Sequence, residues 1–318
     1  MTDPDARRQP RAVATIATCP ASATMPPAIS READGRRAAL PSSEHYASVM
    51  SSYKLLWRDL GLRPFKVRSI IASALLGSED GCLPSRVIVQ FATLFGVPEG
   101  TVRVTLTRLV SDGDLEIRDG QHHLSGRLAE RRRRQNLGRE AERRPWDGAF
   151  VIETVRADRR EAAERLALRS AMKNLRLAPY RQSLYMRPNN LDMLQLPEDW
   201  ALVRSQCDRF LSRLESDERE FVGRLWDLST WHTQAATLRR LMAEVVVDLE
   251  RGLEMAIAPG FMLAAAVTHH LMADPLLPDE LLPGDWPGRQ LRSEWEKFDA
   301  IWQAQSHEWL SGGAPSNS

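Results

Sequence analysis

Residues 64 to 124 constrain the fold most, because they spell three amphipathic helices followed at once by a short two-stranded hairpin. That order is the pattern of a winged helix-turn-helix. Pro64 suits a first helical turn, and Val67, Ile70, Ile71, Ala74 and Leu75 follow at the spacing of one buried stripe. A second helix, Pro84 to Phe95, offers Val87, Ile88, Phe91, Leu94 and Phe95 to that stripe and stops at Gly96, where glycine tolerates a left-handed cap. After the turn Gly96-Val97-Pro98, a third helix from Glu99 to Asp112 buries Val102, Leu106, Leu109 and Val110. Leu115 to Arg118 and Gln121 to Leu124 then flank Asp119-Gly120, a strong tight-hairpin signal.

With one face of the third helix buried, Thr101, Val104, Thr107 and Arg108 share the other, and Arg103 and Thr105 flank it. Threonine bonds phosphate oxygens or touches a thymine methyl, and arginine forks onto guanine, so this helix is predicted to read a DNA major groove. Lys66, Arg68 and the hairpin's Arg118 are predicted to touch the phosphates around it. The whole chain carries a net charge of only +1, so such contact must rest on local charge. Residues 54 to 134 supply it, with 14 Lys and Arg against 9 Asp and Glu. Arg131 to Arg134 adds less, since a charge run at a domain junction is more often solvated than docked.

Cys19, Cys82 and Cys207 are odd in number and widely spaced, which fits free thiols in a reducing cytoplasm better than disulfides or a zinc site. His122-His123 on a strand and His269-His270 on a helix diverge within each pair, so no metal site is expected. Residues 1–45 mix Pro, Ala, Ser and Arg without periodicity and read as a disordered arm or an overextended gene start, with Met50 as the alternative beginning. No apolar run is expected to span a membrane.

Beyond Pro145, a buried strand over Ala149 to Val155, a helix over Asp158 to Leu175 and a strand over Ser183 to Arg187 suggest an α/β unit with its two strands parallel. Arg169, Arg176, Arg181 and Arg187 are expected on its surface. From Asp199 the chain reads as helical: Trp200, Val203, Cys207, Phe210, Leu211 and Leu214 make one stripe, and Leu238 to Leu253 carry another. The fold class is therefore α+β and multidomain, divided into a 1–45 arm, a 50–135 winged helix-turn-helix, a 145–195 α/β unit and a 197–310 helical region.

Four motifs then occur in order: Val102-Arg103-x-x-Leu106-x-Arg108-Leu109, Trp146-Asp147-Gly148, Trp226-Asp227-Leu228, and the string Leu-Pro-Asp-Glu-Leu-Leu-Pro-Gly-Asp-Trp-Pro-Gly over 277–288. Together they resemble the PaaX family of bacterial transcriptional repressors. The resemblance implies a ferredoxin-like middle domain that assembles a homodimer, and a helical C-terminal domain. It also implies a repressor of catabolic genes, typically for phenylacetate breakdown, that leaves operator DNA when an aryl-acyl-CoA thioester binds, with no catalytic residues. The chain departs from the family at Asn174-Leu175-Arg176-Leu177, where relatives show a glycine-bearing turn, and at His269-His270-Leu271-Met272, which lacks a following arginine.

A second reading is a metal-dependent nuclease built on the ferredoxin-like unit. It would need clustered carboxylates, and Asp147 and Glu153 are the only acids near the usual place. The sequence has no nucleophile elbow, phosphate-cradling loop, dinucleotide glycine fingerprint or His-Glu-x-x-His.

Overall fold

Burial follows helical spacing from the first described residues onward. The computed structural model describes residues 66–312, except residue 79 and residues 141–142, 157–159 and 192–195. The expectations placed on the 1–45 arm, Cys19, Met50 and Pro64 fall outside that range. Lys66 is the extended N-cap of helix α1 (Val67–Gly77), which packs against α2 (Ser85–Thr93) and α3 (Glu99–Ser111). Ile71, Leu75, Ile88, Ala92, Val102, Leu106 and Leu109 form their common core, and Leu115 of the following strand closes it. Gly96 takes φ +66 in the turn between α2 and α3, a conformation that an L side chain would strain.

The β-structure beside these helices has three strands instead of the expected two. β2 (Leu115–Arg118) and β3 (Gln121–Leu124) form the hairpin, and β1 (Cys82–Pro84) joins the far side of β3, all antiparallel. Pro84, predicted to begin the second helix, ends β1 and caps α2, a position where its missing N–H costs little. Asp119 and Gly120 both have positive φ, 49° and 73°, the geometry of a tight two-residue hairpin turn.

Helix α4 (Gly126–Glu140) contains the Arg131 to Arg134 run, which is partly docked. Arg132 donates to the Ser78 carbonyl at 3.1 Å, Arg133 pairs with Glu198 at 3.5 Å and Arg134 with Glu130 at 3.6 Å.

Next comes a four-stranded sheet. Its elements are β4 (Phe150–Val155), α5 (Ala162–Asn174), β5 (Ala178–Arg181), β6 (Leu184–Pro188), α6 (Pro197–Gln206) and β7 (Cys207–Ser212), with strands in the order β5-β6-β4-β7. Two expectations are corrected here. The strand expected parallel to β4 is β6, and it pairs antiparallel, because the hairpin strand β5 lies between α5 and β6 in sequence. The crossover of α5 relates β4 to β5, with β6 inserted between them. The stripe from Trp200 to Leu214 breaks after Gln206, so Cys207, Phe210 and Leu211 stand on an edge strand beyond residue 195, where the sequence reading closed this unit.

The four arginines expected at the surface divide. Arg169 and Arg181 are exposed, but Arg187 is 0% exposed and donates to the carbonyls of Leu175, Pro188 and Leu276 and to Asn190 Oδ1. Burial pulls its pKa down to about 9. Arg176 occupies φ +59 in the turn where the family resemblance leads one to expect a glycine, and its Nε donates to the Asp274 carbonyl at 2.9 Å.

The remaining chain forms α7 (Glu218–Leu225), α8 (Leu228–Glu250), α9 (Ile257–Met272) and α10 (Gly288–Gly312). Leu238, Leu249, Phe261, Val267, Phe298 and Trp302 belong to their core, and Ile70 of α1 and Phe91 of α2 enter the same core. Phe91 meets Phe261 edge-on at 4.8 Å between ring centres. Trp231 is stacked between His270 at 4.3 Å and Trp286 at 4.4 Å. Against expectation, one stretch, the 19 residues Glu254–Met272, is long and apolar enough by length and composition to cross a membrane. Its most apolar window is 78% buried inside the protein, as befits the central helix of a core.

Candidate nucleic-acid interface

The buried face of α3 decides what its other face can do. Val102 and Leu109 are fully buried and Leu106 nearly so, and this anchors Thr101, Arg103, Val104, Thr107 and Arg108 outward, all exposed. These residues span about two helical turns, roughly 10 Å, a length that fits the floor of a major groove. Val104 is 53% exposed, an apolar side chain left on a polar face. Thr107 Oγ1 returns a hydrogen bond to the Arg103 carbonyl at 3.1 Å, and Thr105 Oγ1 to the Thr101 carbonyl at 2.7 Å. Thr105 is half-buried on the flank.

The cations differ in how committed they are. Arg103 lies against Glu99 at 2.6 Å on the same helix, and Arg118 pairs with Glu116 along β2. Exposed pairs of this kind contribute about 0–1 kcal/mol, so a phosphate can take the place of the carboxylate. Arg108 makes no ion pair among the described residues and is the freest guanidinium on the face. Lys66 is exposed at the start of α1.

Arg68, predicted to meet phosphate, is exposed beside the start of α1 and is paired within the protein. Its guanidinium bonds Asp112 at 2.8 Å and also Asp114, and both contacts raise its pKa against the opposing effect of burial. Asp114 is buried and receives two bonds from Arg127 at 3.0 Å. This carboxylate therefore ties α1, the start of β2 and the start of α4 together and fixes the hairpin against α3.

Ile117 is a residue that sequence reasoning passed over. It shares a strand face with Leu115, which is 2% exposed, yet near the hairpin tip nothing covers it and it is 59% exposed. With Val104 it is one of two uncovered apolar side chains on this part of the surface. The only signal available was its position two residues from the Asp-Gly turn.

The carboxylates of the nuclease reading are engaged elsewhere. Glu153 is buried, pairs with Arg209 at 2.8 Å, and has its pKa raised by burial against the opposing pull of that arginine. Arg209 in turn lies over the Trp200 ring at 3.8 Å. Asp147 accepts the Ala149 N–H at 2.9 Å. Among the described residues no group of three His, Cys, Asp or Glu could hold a metal ion. Burial pushes the Cys207 thiol up to about 11, and Cys82 is likewise buried. His122 is buried beside Ser85 Oγ at 3.4 Å, and burial lowers its pKa.

The remaining motifs have local structural reasons. In Trp146-Asp147-Gly148 the indole donates to the Ala149 carbonyl at 2.7 Å, and Gly148 at φ +82 turns the chain into β4. Asp227 of Trp226-Asp227-Leu228 caps α8 through the Thr230 N–H at 3.0 Å. In the 277–288 string, Trp286 completes the ring stack with Trp231. A Cβ on Gly288 would come within 2.7 Å of the Trp286 ring nitrogen, so only glycine fits there.

The PaaX-like protein C-terminal domain matches residues 226–312. No curated protein sequence matches the chain. Among solved structures, the uncharacterized protein Rv0674 from Mycobacterium tuberculosis is similar at 34% identity and a TM-score of 0.59. That alignment covers 76% of this chain and 98% of the Mycobacterium tuberculosis chain. On a domain match in its last third and a relative this similar over nearly the relative's whole length, the chain belongs to the PaaX-like family.

Proposed function

We propose that the protein is a DNA-binding transcriptional regulator in which α1 to α3 and the β2–β3 hairpin act as a winged helix-turn-helix. The observation that carries the reading is the exposed stripe Thr101, Arg103, Val104, Thr107 and Arg108 on a helix whose other face is fully buried. In this reading α3 enters the major groove, Arg108 forks onto a guanine and Val104 meets a thymine methyl. Arg118 of the wing and Lys66 bind phosphate, and Ile117 rests on sugar or base edges at the wing tip. Arg68, exposed near Lys66, joins these two cations at the phosphates and also serves as a clasp through Asp112 and Asp114.

Following the family, the β-α-β-β-α-β unit is read as ferredoxin-like and as the place where two copies join, so that two readers meet a two-fold operator. The regulator is a cytoplasmic repressor of a catabolic operon of the phenylacetate type, displaced by an aryl-acyl-CoA effector, and performs no chemistry itself. Gel-shift titration on a promoter fragment of its own gene tests the reading. Arg108→Ala is expected to cost about 1–3 kcal/mol and to relax base preference, whereas Arg118→Ala weakens all DNA about equally. Full sequence-specific binding by the Arg103→Ala, Arg108→Ala double variant would remove α3 from the reader's role.

A further inference from the structure

We infer that the half-open cavity lined by α1, α4, α9 and α10 is a binding site for a compact organic anion with an apolar body and a single carboxylate head. The cavity measures about 240 Å3, the liquid volume of about eight waters at ~30 Å3 each. That is room for a one- or two-ring acid. Leu76 of α1, Phe261 and Ala264 of α9 and Trp302 of α10 give it apolar walls, where a flat ring gains more than water does.

Its polar side is cationic. Arg131, Arg134 and Arg139 of α4 line it, against the single carboxylate of Asp299. Arg134 pairs with Glu130 at 3.6 Å, a carboxylate outside the cavity lining. Arg139 lies over Trp295 at 4.5 Å, and its buried Nε has no hydrogen-bond partner. A buried donor left without an acceptor is costly, and an excess of guanidinium in an apolar recess calls for an anion. Burial lowers the pKa of Arg131 and Arg139 and raises that of Asp299, so the charges here are incompletely compensated by the protein itself. The bland alternative is a hydrated void, which would take small ions and water without preferring an apolar body.

The test uses the full chain and no DNA, so it stands or falls separately from the transcriptional reading. Calorimetric titration with 1-naphthoate should give saturable binding at one site per chain. Naphthalene-1-carboxamide, the neutral isostere, should bind at least tenfold more weakly, and acetate should not bind measurably. Arg131→Gln, a change at the rim of the cavity on α4, should weaken 1-naphthoate at least fivefold and leave the amide unchanged. Ala265→Leu, which narrows the cavity from α9, should weaken both ligands. Absence of saturable binding, or 1-naphthoate affinity unchanged in both variants, overturns the assignment.

Discussion

His270 lies with its ring against Trp231, and its Nε2 is buried without a hydrogen-bond partner. Burial pulls its pKa down to about 4, helped by His269 and Arg292 and opposed by Asp274 and the hydrogen bond to the Trp231 backbone. An unfolded histidine titrates near 6.5, so between pH 4 and 6.5 the unfolded chain binds more protons than the folded one. The contribution of His270 to stability is therefore complete above about pH 6.5 and is lost as pH falls through that window. Urea unfolding should show the wild type losing on the order of 2 kcal/mol more than His270→Phe between pH 7 and pH 5. Equal losses in the two proteins would refute this assignment. At the same scale, the exposed residues of α3 were legible because Val102, Leu106 and Leu109 fix the helix phase. Arg187 was not legible: nothing in a lone strand arginine announces that the carbonyls of Leu175 and Leu276, from other turns of the chain, converge on it together with its neighbours Pro188 and Asn190.

Elements were readable where their cause is local. The β2–β3 hairpin follows from Asp119-Gly120 alone, and its strands start and stop where alternation and that turn place them. Gly120→Val puts a β-branched residue at φ +73 and should destabilise the hairpin by about 1–2 kcal/mol. Hydrogen exchange would detect this as lost protection at the Glu116 and His123 amides, which face each other across β2 and β3, with α1 and α3 unchanged; full protection would mean the turn has another conformation. The strands β1 and β5 were missed because they are three and four residues long, contain Pro84 and Pro179, and gain their order only from the longer neighbours they pair with. β7 was read as helix for a sharper reason. Cys207, Phe210, Leu211 and Leu214 keep helical spacing, but Phe210 and Leu211 remain 55% and 62% exposed on a sheet edge, so the periodicity reported no buried face. The apolar stretch Glu254–Met272 was passed over in the same way, since its saturation with small and apolar residues reflects burial on all sides.

At the level of the whole molecule, the boundary drawn near residue 135 divides the chain in sequence but not in its core. Phe91 stands on α2, yet it packs against Phe261 at 4.8 Å and Trp302 at 6.3 Å, and Ile70 joins the same cluster. Phe91→Ala should cost about 3–5 kcal/mol and should lower the unfolding midpoint of the C-terminal tryptophans together with that of the helices as a whole. Tryptophan fluorescence and circular dichroism report the two; a variant in which the fluorescence midpoint stays put would show the cores to be separate. A cut after Glu140 would leave Ile70, Phe91 and Phe95 facing water. The three-helix segment is thus no interchangeable cassette: a chimaera that borrows it must also carry α8 to α10, which supply the other half of its interior.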